Sequence, residues 1–234
     1  MVSLLGWFHD QRRRFFGRYS LDDPRPIARE APYTFHLPSE ATLSALAPGD
    51  LVKLVFRGEP PGREWDAERM WVTIVEISPG GLVGELANEP FDMPQLKVGQ
   101  RVAFQRHHVI DVQWADPENA PEPEEERQVW DRCMVDNHVV DGDARVGYLY
   151  REEPDLAQEG DRYPDSGWRI RADLTGLDEA EVEARGPTYI AIGKVLNKDD
   201  SWLHLLKEPV GSAFMRDPES GLFVPVEPLI GEEP

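Results

Sequence analysis

A single cysteine, Cys133, stands in 234 residues. That excludes a disulfide framework and any cysteine-rich zinc module. No apolar run approaches the ~18–20 residues needed to span a bilayer. Basic residues are scarce: 25 Lys and Arg face 44 Asp and Glu, a formal charge of −19 at pH 7. This balance argues against a nucleic-acid binder, whose footprint is a basic face. Nucleophile and phosphate signatures are missing too, with no Gly-x-Ser-x-Gly, no His-Glu-x-x-His and no phosphate-cradling glycine loop. What the chain does hold is seven Trp, nine Phe and six Tyr, an aromatic content that disordered sequences do not carry. The length suits one or two domains with a real core. The composition predicts an acidic cytoplasmic protein with no cofactor and no bound metal.

The charge is unevenly spread. Residues 1–114 hold 13 bases and 15 acids, whereas residues 115–234 hold 12 bases and 29 acids. Residues 115–126 contribute −6 with no base, and three of the twelve are proline. Missing backbone donors and like-charge repulsion make such a stretch an extended solvated linker. Residues 1–30 are basic and amphipathic, with Arg12, Arg13, Arg14 and Arg18 alongside Leu4, Leu5, Trp7, Phe8, Phe15 and Phe16. The bases follow the apolar stretch, the wrong order for a secretory signal. A leading helix docked on the first domain is the expectation, with a membrane-surface helix as the rival reading.

Residues 51–57, 70–77, 82–87, 101–105 and 109–114 are short runs rich in β-branched, apolar and aromatic residues. Ser78-Pro79-Gly80-Gly81 separates the second from the third, so these should form an antiparallel hairpin. In the second run Met70, Val72 and Ile74 oppose Trp71, Val75 and Ile77, which predicts a strand covered on both faces. Five such strands over residues 31–114 suggest a small SH3-like barrel. His107 and His108 are expected on a loop or rim, and residues 88–92 as a turn anchored by Phe91. The pattern Met70-Trp71-Val72, Gly84-x-Leu86-x-Asn88-x-Pro90, Gly99-x-x-Val102-x-Phe104 and Ile110-x-x-x-Trp114 resembles a family of small bacterial domains of unknown function. The resemblance spans about residues 45–114 and implies no chemistry.

Residues 127–234 read as an α+β domain with a mostly antiparallel sheet. Val146, Tyr148 and Tyr150 alternate onto one face of a strand. Trp168, Ile170 and Ala172 form a buried face, and Arg169, Arg171 and Asp173 a wet one. Residues 187–195 and 222–226 supply further strands, and residues 178–185 a short helix opened by Asp178 and Glu181. For residues 201–206 the pattern leaves helix and strand open. Asp141, Asp143 and Glu152 fill three slots of a calcium loop, but Arg145 and Val146 occupy positions that need a ligand and a glycine. Asp141-Gly142 is therefore expected to be a hairpin turn. Cys133 and His138 lack further ligands to complete a metal shell.

Three segments carry a sharper signal: residues 147–154, beginning Gly147-Tyr148-Leu149-Tyr150; Asp165-Ser166-Gly167-Trp168-Arg169; and residues 209–216, ending Phe214-Met215-Arg216. Their order and spacing, over about residues 132–217, resemble a bacterial family grouped with immunity proteins of polymorphic-toxin systems. This chain departs after Trp168, where family members run into a short Gly-Asp-Glu stretch and this one continues Arg169-Ile170-Arg171-Ala172. The resemblance implies a protein partner but carries over no particular toxin.

Two roles compete for these segments. In one, Arg151 and Arg216 fork onto Glu152, Asp165 or Asp217 and lock loops together, with Trp168 and Phe214 as core anchors. In the other, Tyr150, Arg151, Glu152, Glu153, Asp165, Ser166, Gly167, Trp168, Arg169, Phe214 and Arg216 form a partner-binding surface, aromatic and Arg-bearing inside an acidic rim. The leading functional expectation is a non-enzymatic immunity protein that occludes a basic toxin. An adaptor for another cellular protein is the alternative. A third reading makes Glu152 and Asp165 the acid–base pair of a small-ligand enzyme, which requires convergence and a raised pKa on one of them.

Overall fold

The computed structural model describes residues 11–122, 128–157, 159–176 and 186–228. Two compact units form, one from residues 1–29 and 36–126, the other from residues 30–35 and 127–234. Among the described residues no helix is long and apolar enough to cross a membrane.

The first unit is a single curled six-stranded sheet, a half-barrel of SH3-like character, ordered β1 (Arg18–Leu21), β2 (Leu51–Glu59), β3 (Ala67–Ser78), β4 (Gly81–Leu86) and β5 (Arg101–Phe104). The sixth strand, β6 (Asp111–Gln113), pairs with β2. One edge of β2 carries β3. Its other edge is shared by β6, opposite residues 51–53, and β1, opposite residues 56–59, so the sheet curls back on itself. Strict alternation turns Val52, Leu54 and Phe56 of β2 and Met70, Val72 and Ile74 of β3 inward. Leu82, Leu86, Val102 and Phe104 meet them there. The expected hairpin is in place, with the Ser78 hydroxyl donating to the Gly81 carbonyl at 3.1 Å.

Two expectations for this unit need correction, and the leading helix is refined in extent. β3 has one covered face, not two: Val75 is exposed, and Trp71 is half-buried under the Lys53 ammonium, 4.3 Å from the ring centroid. A bulge between Ile74 and Glu76 breaks the alternation and lets Ile77 pack on the same core as Met70, Val72 and Ile74. Phe91 is no anchor, being 77% exposed; its neighbour Met93 is buried instead, and the backbone N–H groups of Phe91 and Asp92 donate to Glu68. The leading segment is helical over residues 11–16, then becomes strand β1. The helix holds on through an ion pair, the buried Arg13 guanidinium reaching Asp92 Oδ1 at 2.7 Å and the Asp92 carbonyl, while Tyr19 and Leu21 of β1 pack on the core. Leu4, Leu5, Trp7 and Phe8 lie outside the described residues. His107 and His108 sit in a 3-10 turn between β5 and β6, with the Gln105 N–H donating to His108 Nδ1.

The second unit is a six-stranded sheet ordered β10 (Pro187–Ala191), β7 (Arg132–Asp136), β9 (Asp165–Ala172), β8 (Val146–Arg151), β11 (Ala213–Arg216) and β12 (Phe223–Pro225). Among its described strands only the β7–β9 pair is parallel. One face carries the core: Cys133, Val135, Val146, Leu149, Trp168, Ile170 and Phe214 pack against the helices Asn137–Asp141 and Ile192–Leu196 and against Trp202 and Leu205. Burial pushes the Cys133 thiol well above its usual range, which makes it a core residue and a poor nucleophile.

Here too the structure departs from the sequence pattern. Asp141-Gly142 is not a hairpin turn. It closes the helix Asn137–Asp141, with Gly142 at φ 83° donating its N–H to Val139, because β7 and β8 are separated by β9 and need no tight turn between them. A bulge between Val146 and Tyr148 reverses the alternation of β8, so Val146 and Leu149 face the core while Tyr148 and Tyr150 face away. The run 187–195 is a strand only to Ala191; Ile192, Val195 and Leu196 then bury at helical spacing. Residues 203–205 form a 3-10 turn. The helix expected over residues 178–185 lies outside the described residues.

Candidate protein-binding surface

The Asp165–Arg169 segment is the mechanical centre of the second unit. Asp165 stands at the start of β9 with its side chain fully buried. Its carboxylate accepts N–H groups from Asp155 (3.2 Å), Leu156 (3.1 Å) and Gly167 (3.1 Å), and both guanidinium termini of Arg169 at 3.1 Å. Arg169 goes on to Asp155 Oδ1 at 2.7 Å and, through Nε, to Glu152. Arg169 is therefore not on a wet face: it is 3% exposed, roofed by the chain that leaves β8 at residue 152. Burial alone would raise the Asp165 carboxyl, but the Arg169 and backbone N–H donors outweigh it and hold it below the usual carboxylate range. Burial likewise opposes the charge on Arg169, and Asp165 and Glu152 more than restore it.

Gly167 makes this geometry possible. It sits at φ 79°, and a Cβ there would run into the Glu152 carbonyl, whose own N–H donates to Gly167 O at 3.0 Å. Ser166 donates to the Arg132 carbonyl at 2.7 Å, tying β9 to β7. Arg151 does not fork onto a carboxylate. It donates to the carbonyls of Ser166 (2.9 Å) and Glu208 (2.7 Å) and lies over the Trp168 ring. Arg216 pairs with Asp199 at 2.6 Å, not with Asp217, and also donates to the Val146 carbonyl at 2.7 Å. Sequence spacing could not show this, because the acids nearest these arginines in the chain are not nearest in space.

Of the residues singled out in the sequence, Asp165, Ser166, Gly167, Trp168, Arg169 and Phe214 are buried. Arg151 and Arg216 are half-buried and bound to carbonyls or Asp199. Tyr150, Glu152 and Glu153 reach the surface. Glu152 and Asp165 do converge, but on one guanidinium, and the Asp165 pKa moves opposite to what a general acid needs.

What the pattern missed is the sheet face opposite the core. In register across it run Met134, Arg169 and Tyr150 in one row and Arg171, Tyr148, Met215 and Val224 in the next. The loop after residue 151 covers Arg169, and the second row stays accessible, with Met215 39% and Val224 43% exposed. Tyr148 and Tyr150 stack at 5.5 Å between centroids. Arg171 donates to Asp136 at 2.9 Å. Half-buried tyrosines, an arginine and a methionine make a surface of the composition that protein interfaces use.

Residues 133–227 match the family described as Immunity protein Imm33 domain. Residues 41–120 match the family described as Uncharacterized protein conserved in bacteria (DUF2314). No curated protein and no solved structure matches the chain.

Proposed function

We propose that this protein is a cytoplasmic immunity protein whose acidic second unit binds and occludes a basic bacterial toxin, without catalysis. The observation that carries the reading is a coincidence of position. The match to an immunity-protein domain, residues 133–227, falls within residues 127–234, which hold 12 bases and 23 acids. A domain at −11 accelerates encounter with a cationic protein and repels nucleic acid from the same surface. The Arg169 lock fixes the loops that flank the open sheet face, so the tyrosines there meet a partner on a rigid support. Glu152 and Glu153 supply acid beside that face.

The test is co-expression with the genes encoded beside this one, among which the reading requires a toxin; a neighbourhood without one counts against it. Cells carrying the full-length chain are expected to grow, and cells lacking it to arrest. If growth is not rescued, and the purified chain instead returns one stoichiometric partner that is not a toxin, the adaptor reading replaces this one.

A further inference from the structure

In the leading helix of the first unit, residues 11–16, Arg13 is fully buried while Phe15 is 73% and Phe16 81% exposed. A helix that docked by apolar contact would do the reverse. The inversion repeats in the two segments that Arg13 meets. The Asp92 side chain is largely covered, and its neighbour Phe91 stands in water. Residues 62–64 close on the same carboxylate: the Arg63 N–H donates to Asp92 Oδ2, the Glu64 N–H does so at 3.1 Å, and a Cβ on Gly62 would collide with it. Trp65, next along, is 61% exposed. Three segments therefore converge on Asp92 with polar groups inside and aromatic rings outside. Desolvation offsets much of what a buried ion pair gains, and four rings left in water forgo their burial, so folding stability alone does not favour this arrangement. It suits a surface that meets an apolar phase.

We propose that Phe15, Phe16, Trp65 and Phe91 form a peripheral contact with the surface of an anionic phospholipid bilayer, with Arg12 and Arg14 at the headgroup phosphates. Both arginines are exposed, and residues 11–21 hold four arginines and no acid. Phe and Trp beside arginine are the side chains that settle at the boundary between headgroups and acyl chains. Three of the four rings are phenylalanine, with no polar tip to hydrogen-bond a protein partner, unlike the tyrosines on the sheet face of the second unit. The acids nearby set the strength of the contact. Glu64 and Asp66 flank Trp65, Glu68 accepts the Phe91 and Asp92 N–H groups, and Glu59 stands opposite Arg18 across the β1–β2 pair. Their repulsion makes the attachment reversible and sensitive to the lipid's charge. The proposal concerns the first unit and stands independently of the toxin reading.

The experiment floats the full-length chain with unilamellar vesicles of phosphatidylcholine containing about one-third phosphatidylglycerol. Wild type is expected to rise with these vesicles and to partition at least about tenfold less onto phosphatidylcholine alone. Trp65→Ser/Phe91→Ser and Phe15→Ser/Phe16→Ser should each lower partitioning onto the anionic vesicles at least about tenfold. Arg12→Gln/Arg14→Gln should remove most of the preference for the anionic lipid. The replaced rings already stand in water, so thermal unfolding of the serine variants should match wild type, which separates lost binding from lost folding. Failure of wild type to float overturns the proposal, as does equal partitioning onto the two kinds of vesicle. Wild-type flotation of Trp65→Ser/Phe91→Ser also overturns it, because binding would then come from outside this patch. So does sedimentation showing a dimer that the same variants disperse, with no vesicle binding, since a second copy of the chain would then cover these rings.

Discussion

Replacing Arg169 with methionine is expected to cost about 3–5 kcal/mol of folding stability, because it strands the fully buried Asp165 carboxylate without its counter-charge. Backbone donors from Asp155, Leu156 and Gly167 remain, but three neutral N–H groups do not replace a guanidinium. Urea unfolding at neutral pH measures the loss. Its pH dependence has a definite sign. In wild type the folded pKa of Asp165 lies below the ordinary carboxylate value, so its contribution is complete above about pH 4 and disappears as pH falls through the folded pKa. In the variant only burial and the backbone donors act, so the folded pKa rises and the carboxylate becomes a liability above it. The gap between the two proteins should therefore narrow on acidification. A loss below about 1 kcal/mol, or one that does not change with pH, would mean that Arg169 is a surface-like pair worth little.

The second large effect is on binding. Truncating both stacked tyrosines, Tyr148→Ala with Tyr150→Ala, should weaken the toxin complex by about 2–4 kcal/mol, on the order of 100-fold, because central aromatic residues carry most of an interface's energy. The loss should appear mainly in the dissociation rate. Met215→Lys, which puts a cation beside Tyr148 in its row, should act in the same direction by repelling a basic partner. All three side chains face away from the core, so thermal unfolding should move far less than affinity. Surface plasmon resonance with the full-length variants separates the two effects. Unchanged affinity in both variants would move the interface elsewhere and leave the immunity reading to be judged by rescue.

The half-barrel was legible because apolar residues alternate over most of its strands and glycine or proline marks their ends; residues 51–57 and 101–105 lie within two residues of β2 and β5. β1 was not legible. Arg18-Tyr19-Ser20-Leu21 is short and follows a basic run, and only pairing with β2 makes it a strand. In the second unit the face of β8 was misread for a local reason. Period-2 reasoning assumes an unbroken ladder, and the bulge after Val146 shifts every later side chain of β8 to the other face. That single residue separates Tyr148 and Tyr150 from Val146, with which alternation had grouped them on one face. Arg169 and Arg171 look equivalent in sequence, yet only Arg169 lies under the loop that brings Glu152 and Asp155. The segment 30–35 gives no local signal, since its partner Asn197 lies more than 160 residues away.

The central claim is that an acidic, immunity-type unit meets a cationic protein, and association kinetics test it most directly. The full-length chain and the cognate toxin that the reading requires should form a tight complex at low salt. Between about 20 mM and about 500 mM salt the association rate should fall at least tenfold, with the dissociation rate much less affected. A pair that does not associate at low salt, or whose association rate ignores ionic strength, would contradict the account.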